Sequence, residues 1–180
     1  VFSNASNDLV EKGTTENTPE YKVTQTIDTS WEINFESKNI APETITTTEL
    51  MDWSKSEVDL LKYYSGKANY TTTFTYQKSD AKAAVIDLGE VGVMATVTLN
   101  GKNIGTSWMA PYRLDITDAL QEGENKLEIK VVNVWRNRLT GDKTLPLEER
   151  TTSVLVDNIT RKEEVISSGL IGPVTIQVVK

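Results

Sequence analysis

The chain has 180 residues, a length that suits one domain and falls short of the roughly 250 residues of a typical catalytic barrel. Its 26 acidic and 19 basic side chains give a net charge of -7, which argues against nucleic-acid binding. The sequence contains no run of about 18 apolar residues, so no membrane-spanning helix is predicted. Histidine and cysteine are absent, which excludes Ser-His-Asp and Cys-His catalysis, disulfides and thiolate zinc sites.

The N-terminal part of the chain differs in composition from the rest. Residues 1–29 are rich in Asn, Thr, Ser, Glu and Lys and show little apolar periodicity, so we predict a linker or flexible N-terminal arm. Residues 30–180 are predicted to form a single β-sandwich domain. Its first strand is expected at Ser30 to Glu36, where apolar and polar residues alternate.

A short helix is predicted after this strand. Ser54 is followed three residues later by Glu57, the spacing of a capping box, and the pattern supports a helix through about Leu61. We expect this helix to cover one end of the sandwich. A long strand from Ala68 to Gln77 and another from Ala83 to Leu88 are predicted to follow.

The most informative stretch begins with a strand in which every second residue is apolar from Val93 to Leu99. Asn100-Gly101 then predicts a tight type I′ turn, because both residue types tolerate positive φ angles. The return strand is expected at Lys102 to Gly105. A second regular strand carries Leu127, Ile129 and Val131 on one face and is predicted to run on through Asn133 to Arg138, before a turn at Gly141-Asp142.

These patterns predict an all-β fold, a jelly-roll β-sandwich of about eight or nine antiparallel strands with one short covering helix. The final strand is expected at Val174 to Val179, after a short strand at Thr152 to Val156. The residues predicted to form the core are Trp31, Phe35, Phe74, Val97, Leu99, Leu127, Ile129 and Val131.

The first candidate functional cluster runs from Trp108 to Arg113 and is too apolar for an ordinary solvated loop. Trp108 or Tyr112 would stack on the apolar face of a sugar while Arg113 bonds its hydroxyls. The alternative, which the sequence favours, is a loop that plugs the end of the sandwich.

The second candidate cluster comprises Trp135, Arg136, Arg138 and two residues predicted to be structural, Asn137 and Asp142. The arginines would supply planar donors for sugar hydroxyls or a carboxylate. The alternative, again favoured, is a buried ion pair in which Asp142 satisfies one arginine and leaves the other available. The remaining carboxylates lie mostly at outward strand positions or in turns, so we predict no enzymatic activity for this domain alone.

Three strings carry a family resemblance: V-T-L-N-G-K-N-I-G, N-V-W-R-N-R-L-T-G-D and S-G-L-I-G-P-V. From Trp31 to the C-terminus the chain resembles the galactose-binding-like jelly-roll domain of large multidomain glycosidases, of the glycoside hydrolase family 2 and family 106 rhamnosidase type. The resemblance implies a non-catalytic carbohydrate-binding or accessory domain of a polysaccharide-degrading enzyme. The alternative is a scaffold domain that docks on the catalytic domain and has no sugar affinity.

The resemblance also implies partners and a location: plant-type oligo- or polysaccharides, the catalytic domain of the same parent chain, and a periplasmic or extracellular site of action. No cofactor is expected, although similar jelly rolls often hold a structural calcium ion. Calcium requires several oxygen ligands, and the candidates in this sequence are Asp87, Glu90, Asp115 and Asp118.

Overall fold

The computed structural model describes residues 20–37, 41–77, 80–81, 83–154 and 164–179. Its strands are β1 (Tyr21–Thr26), β2 (Trp31–Phe35), β3 (Ile45–Thr47), β4 (Lys67–Tyr76), β5 (Ala84–Asp87), β6 (Glu90–Val91), β7 (Met94–Leu99), β8 (Lys102–Ser107), β9 (Arg113–Asp115), β10 (Gly123–Val132), β11 (Leu170–Gly172) and β12 (Thr175–Val179). Its α-helices are α1 (Asp59–Lys62) and α2 (Arg136–Asp142), and 3-10 turns occur at Trp53–Lys55 and Leu147–Glu149.

The strands form two main sheets and a small third one. The larger sheet has six strands in the order β3-β2-β4-β10-β7-β8, and the smaller has four in the order β1-β12-β5-β9. β6 and β11 form a separate two-stranded ladder. The chain passes repeatedly from one main sheet to the other, so neither sheet is built from one continuous stretch. The predicted jelly-roll β-sandwich is confirmed, but the described residues form twelve strands, ten of them in the two main sheets, where about eight or nine were expected.

The centre of the larger sheet is β10, which pairs with β4 along its whole length and with β7 on its other side. Alternate β10 residues, Leu127, Ile129 and Val131, are fully buried. Because side chains alternate across a strand, the intervening Glu128 and Lys130 point away from the core. The resulting two-residue period is the one the sequence predicts.

The predicted core is confirmed at nearly every position. Trp31, Phe74, Val97, Leu99 and the three β10 residues are all buried, whereas Phe35 is half-buried and packs against Trp53 and Tyr64 at the edge of the core. The aromatic cluster was not predicted. Trp53 stacks on Tyr70 at a centroid distance of 5.9 Å.

The Asn100-Gly101 hairpin is also confirmed. Both residues have positive φ angles, 53° and 77°, and they join β7 to β8. The return strand extends to Ser107, two residues beyond the predicted Gly105, because a register irregularity next to Val97 lets the pairing continue past that glycine.

The predicted boundary between arm and domain is wrong for residues 21–26. These residues form β1, which pairs with β12 from Tyr21↔Val179 to Thr26↔Thr175 and belongs to the four-stranded sheet. β1 is an edge strand with mostly exposed, polar side chains, so it lacks the apolar alternation that marks a half-buried strand. Residues 1–19 lie outside the described part of the chain, and the arm predicted there stays a prediction.

The helical elements also differ from expectation. The predicted helix from Ser54 is replaced by a 3-10 turn that Asp52 caps and by the separate helix α1. The predicted strand end at Asn133 to Arg138 and the turn after it are replaced by α2. Where a single covering helix was expected, the described residues contain two short α-helices.

The strand predicted at Thr152 to Val156 is not present in its described part, because Thr152 to Val154 form no strand. The last two residues of that predicted strand lie outside the described residues.

None of the helices in the described part of the chain is sufficiently long and apolar to cross a membrane.

Candidate functional site

Both candidate clusters begin at one end of the larger sheet, which we call the loop end. β8 and β10 flank β7 and run antiparallel to it, with Ser107 opposite Ala95 and Val132 opposite Met94. β8 and β10 therefore finish at the same end, and the residues that follow them share it. Trp108 follows β8 directly, and Trp135 follows β10 after two residues.

The loop between β8 and β9 presents an apolar tip. Trp108 is 74% exposed and Met109 is 63% exposed. The half-buried Tyr112 anchors the loop to the domain by two hydrogen bonds. Its hydroxyl donates to the Val93 carbonyl at 3.3 Å, and its backbone carbonyl accepts a bond from the Leu88 amide. The predicted plug is therefore only partly correct: Tyr112 packs inward, while Trp108 and Met109 face outward.

Arg113 lies on the outer face of the four-stranded sheet and is engaged there. Its Nε donates to Asp87 Oδ2 at 2.7 Å, and its guanidinium lies 4.6 Å from the centroid of the Tyr21 ring. Tyr21 belongs to β1 and Arg113 to β9, the two edges of that sheet. The side chain thus reaches across the sheet and stabilises it.

Arg138, a candidate sugar-binding residue by sequence, lies in the interior. Its Nη2 donates to Asp142 Oδ1 at 2.5 Å one helical turn away, and both side chains are more than nine-tenths buried. The structure therefore corrects the assignment of Arg138: its guanidinium does not face a ligand at the surface. The predicted internal pairing with Asp142 is present.

Asp142 also fixes the segment that follows α2. Its Oδ2 accepts bonds from the Thr152 amide at 2.7 Å, the Thr152 hydroxyl at 2.6 Å and the Thr151 amide at 3.1 Å. Burial acts to raise the pKa of the Asp142 carboxyl, but the bonds from Thr152 and Arg138 together outweigh it and hold that pKa below its usual range. The carboxylate therefore joins α2 to the segment beginning at Thr151.

This attachment creates a groove of about 370 Å³, which we call the Trp135 groove. One wall consists of Trp135 and Leu139, spaced one turn apart so that they share a face of α2. The other wall consists of Thr151 to Val154. Trp135 is 61% exposed and Arg136 beside it is exposed as well. An aromatic side chain and three hydroxyl-bearing residues thus line one groove, and the hydroxyls of Thr151 and Thr152 also bond Asp142.

Asn137 has the structural role expected for it. It is buried, its Nδ2 donates to the Ile166 carbonyl at 2.7 Å, and its Oδ1 accepts from the Ile166 amide at 2.8 Å. Asn133 and Asp52 bind the same segment, at the Gly169 and Ser168 amides. These bonds fix residues 166–169 beneath the loop end.

The four candidate calcium ligands do not come together. Asp87 is bonded to Arg113, Asp115 accepts the Thr117 hydroxyl at 2.6 Å, and Asp118 lies 3.8 Å from the Lys102 ammonium. Within the described ranges, no group of three or more His, Cys, Asp or Glu side chains is arranged to hold a metal ion. These residues do not fit the ion, and calcium elsewhere on the domain stays a prediction.

The sequence analysis did not identify Leu139 or the Thr151–Val154 wall as parts of a site. The available signal was indirect: Asp142 was recognised as an internal partner, but the two threonine amides that it binds could not be inferred from spacing. Of the predicted sugar-binding residues, Trp108, Trp135 and Arg136 are exposed at the loop end.

Comparisons with known proteins agree with this architecture. Residues 42–167 match the family described as "Glycosyl hydrolase 2 galactose-binding domain-like". The protein named "Putative beta-glucuronidase" from Formosa agariphila is 40% identical over 175 aligned positions, which cover 83% of this chain and 15% of that protein.

Solved structures show the same similarity. A rhamnosidase from Novosphingobium sp. PP1Y superposes with a TM-score of 0.82 at 35% identity, covering 93% of this chain and 16% of that one. A β-D-glucuronidase from Dictyoglomus thermophilum, at 18% identity and a TM-score of 0.58, shares the fold over 92% of this chain and 29% of its own.

The chain spans only 15% and 16% of the lengths of the first two relatives. The family match, in contrast, covers most of this chain and includes both clusters at the loop end. The chain belongs to the glycosyl hydrolase 2 galactose-binding domain-like family.

Proposed function

We propose that the chain is a non-catalytic accessory domain of a larger glycoside hydrolase and that it binds carbohydrate in the Trp135 groove. The observation that carries the proposal is the groove itself, in which an exposed indole faces a wall of Thr and Ser residues. An indole ring provides a flat apolar surface for the C–H face of a sugar, and hydroxyls and a guanidinium provide partners for its oxygen atoms.

Trp135 is a better candidate than Trp108 for the stacking residue. Both rings are exposed, but Trp108 lies at the tip of its loop, whereas Trp135 forms one side of a concave groove. Concave sites bury more of a small ligand than a projecting ring can. Arg136 lies next to Trp135 and is exposed, while Arg113 and Arg138 are held by carboxylates.

The relatives suggest which ligands to test first. A rhamnosidase and a protein named as a glucuronidase are among them, so oligosaccharides containing rhamnose or glucuronic acid are the first probes. A single shallow groove of this kind should bind weakly, with dissociation constants of about micromolar to millimolar. The expectations of a plant-type polysaccharide and of a periplasmic or extracellular location rest on the resemblance and stay predictions.

Isothermal titration of the 180-residue chain with these oligosaccharides tests the proposal. Trp135→Ala should abolish the heat of binding, and Trp108→Ala, the same change at another exposed ring of the loop end, should leave it unchanged. Both variants should keep the wild-type melting temperature because neither ring is buried. If the wild-type chain binds none of the probes at about 10 mM, the carbohydrate proposal is wrong.

The second candidate function is a scaffold that docks on another domain of the parent enzyme. It is favoured by the exposed apolar side chains of Trp108 and Met109 at the same loop end, since exposed apolar patches mark interaction surfaces. In that case the Trp108→Ser, Met109→Ser double variant should lower the melting temperature of the full-length enzyme but not that of the 180-residue chain. Equal melting temperatures for both full-length proteins would count against docking through this tip.

A further inference from the structure

The outer face of the six-stranded sheet carries two regular rows of polar side chains that the Trp135 groove does not use. The strand register places Asn34, Asn69, Lys130, Thr96 and Thr106 side by side in one row, and Glu32, Thr71, Glu128, Thr98 and Asn103 in the next. Each row crosses five strands, a distance of about 19 Å, and the rows lie about 7 Å apart.

The middle of these rows is a depression of about 500 Å³, which we call the sheet depression. Its outward side chains Asn69, Thr71, Thr96, Thr98 and Glu128 are half-buried. Farther along the same strands, by contrast, the outward residues Thr73, Thr75 and Lys126 are exposed. The sheet face is therefore concave where the two rows cross β4, β10 and β7, and its volume lies within the range of ligand sites.

The chemistry of the sheet depression restricts what it can bind. Its charges are internally compensated, because Glu128 lies 2.6 Å from the Lys126 ammonium and Lys130 lies 3.3 Å from Glu36. None of the side chains in the two rows is aromatic or aliphatic. A surface of this kind offers little to an apolar helix or a lipid, and the net charge of -7 disfavours a polyanion.

An extended, neutral ligand rich in hydroxyl groups fits these features. Threonine hydroxyls, asparagine amides and a carboxylate alternate donors and acceptors at regular spacing, and such a set suits a polyhydroxylated chain lying across the strands. We propose that the sheet depression is a second carbohydrate site, selective for linear neutral oligosaccharides of several units, that recognises them by hydrogen bonding without aromatic stacking.

Amide chemical-shift mapping on the 180-residue chain tests this site. The chain is titrated with xylohexaose, cellohexaose and β-1,4-galactohexaose, and at least one of the three should shift the backbone amide signals of residues in the two rows. The matching disaccharide should bind at least about tenfold more weakly, because it spans fewer strands. The Thr71→Val, Thr98→Val double variant, which keeps side-chain shape but removes two hydroxyls, should weaken hexasaccharide binding by about tenfold or more.

The matched control is the Thr73→Val, Thr75→Val double variant, which makes the same change on the same face outside the depression and should bind like wild type. Trp135→Ala should leave the row shifts unchanged, so failure of the Trp135 groove and failure of this site are distinguishable. Absence of row shifts with all three hexasaccharides at about 10 mM would overturn the proposal. Self-association of the chain through these rows, measured by sedimentation, would also overturn the proposal, because the face would then be an interface between copies.

Discussion

At the scale of single residues, Asp142 has the greatest influence on the candidate site. Its carboxylate accepts bonds from Arg138 on α2 and from Thr151 and Thr152 on the opposite wall of the Trp135 groove. Because the side chain is almost completely buried, water cannot replace these bonds when they are lost. One ionised group therefore holds both walls of the groove together.

We expect Asp142→Asn to reduce the free energy of unfolding at pH 7 by about 3 kcal/mol, because it leaves Arg138 as an unpaired buried charge. Urea denaturation would measure the change. Asp118→Asn is a suitable control, since that side chain is 87% exposed and only loosely paired with Lys102, and its effect should stay below about 0.5 kcal/mol.

The same carboxyl predicts a pH dependence. Its pKa in the folded protein is lowered, so on acidification the unfolded chain, with a pKa of about 3.9, takes up the proton first. The stabilisation is therefore complete above about pH 5 and is lost as the pH falls through 3.9 towards the folded value. The difference in unfolding free energy between wild type and Asp142→Asn should narrow from pH 7 to pH 3, and a constant difference would contradict this assignment.

Gly141 shows how packing can reverse a local preference. Alanine is favoured over glycine in a helix by about 1 kcal/mol, yet a Cβ at this α2 position would lie 2.5 Å from Cγ of Tyr63. We therefore expect Gly141→Ala to lower the melting temperature. In a Tyr63→Ala background, which removes the contacted ring, the same substitution should raise it, and a double-mutant cycle would measure the coupling.

At the scale of elements, the β7–β8 hairpin depends on more than its turn conformation. The Asn100 side chain donates to the Ala119 carbonyl at 2.9 Å and to Asn125 Oδ1 at 2.8 Å, and it accepts the Lys126 amide at 2.9 Å. The turn residue therefore attaches the hairpin to the start of β10 and to the loop before it.

Asn100→Gly should consequently destabilise the protein although glycine is well suited to a positive φ angle. We expect a loss of about 1–3 kcal/mol in denaturant unfolding, because three hydrogen bonds disappear while the turn persists. Gly101→Asn provides the control: a Cβ there meets nothing within 4 Å, and asparagine also tolerates positive φ. An equal loss in both variants would indicate that turn conformation alone matters.

At the scale of the whole molecule, the sheets are joined by buried polar contacts as well as by the core. The Tyr70 hydroxyl, on β4 of the larger sheet, accepts the Leu170 amide of β11 at 2.9 Å. β11 pairs with β6, and β12 of the smaller sheet follows two residues later. Burial raises the pKa of Tyr70 far above its usual value, so this hydroxyl stays protonated at pH values at which an exposed tyrosine ionises.

Tyr70→Phe should therefore cost about 1–3 kcal/mol in thermal or urea unfolding, because it leaves the Leu170 amide buried without an acceptor. Tyr76→Phe is the matched control on the same strand, also on the core-facing side, and it should cost less. A loss of the same size at both positions would show that ring packing, and not the bond to Leu170, determines the effect.

The sequence alone determined the features that depend on local periodicity. Alternation from Val93 to Leu99 and from Leu127 to Val131 placed these strands and their buried faces correctly, because a strand with one face in the core needs an apolar residue at every second position. The Asn100-Gly101 hairpin was predictable because few residue pairs accept its φ angles. Of the three strings that carry the family resemblance, one spans this hairpin, and the other two lie at residues 133–142 and 168–174, outside these regular strands.

Only the tertiary structure decided the features that depend on distant partners. β1 is a strand because β12 offers it a free edge, not because its own sequence alternates. α2 replaces the predicted strand end and places Arg138 and Asp142 one turn apart, where they form an ion pair in the interior. The Trp135 groove exists because Asp142 binds backbone amides nine and ten residues later, and bonds of that kind leave no periodic pattern in the sequence from which they could be predicted.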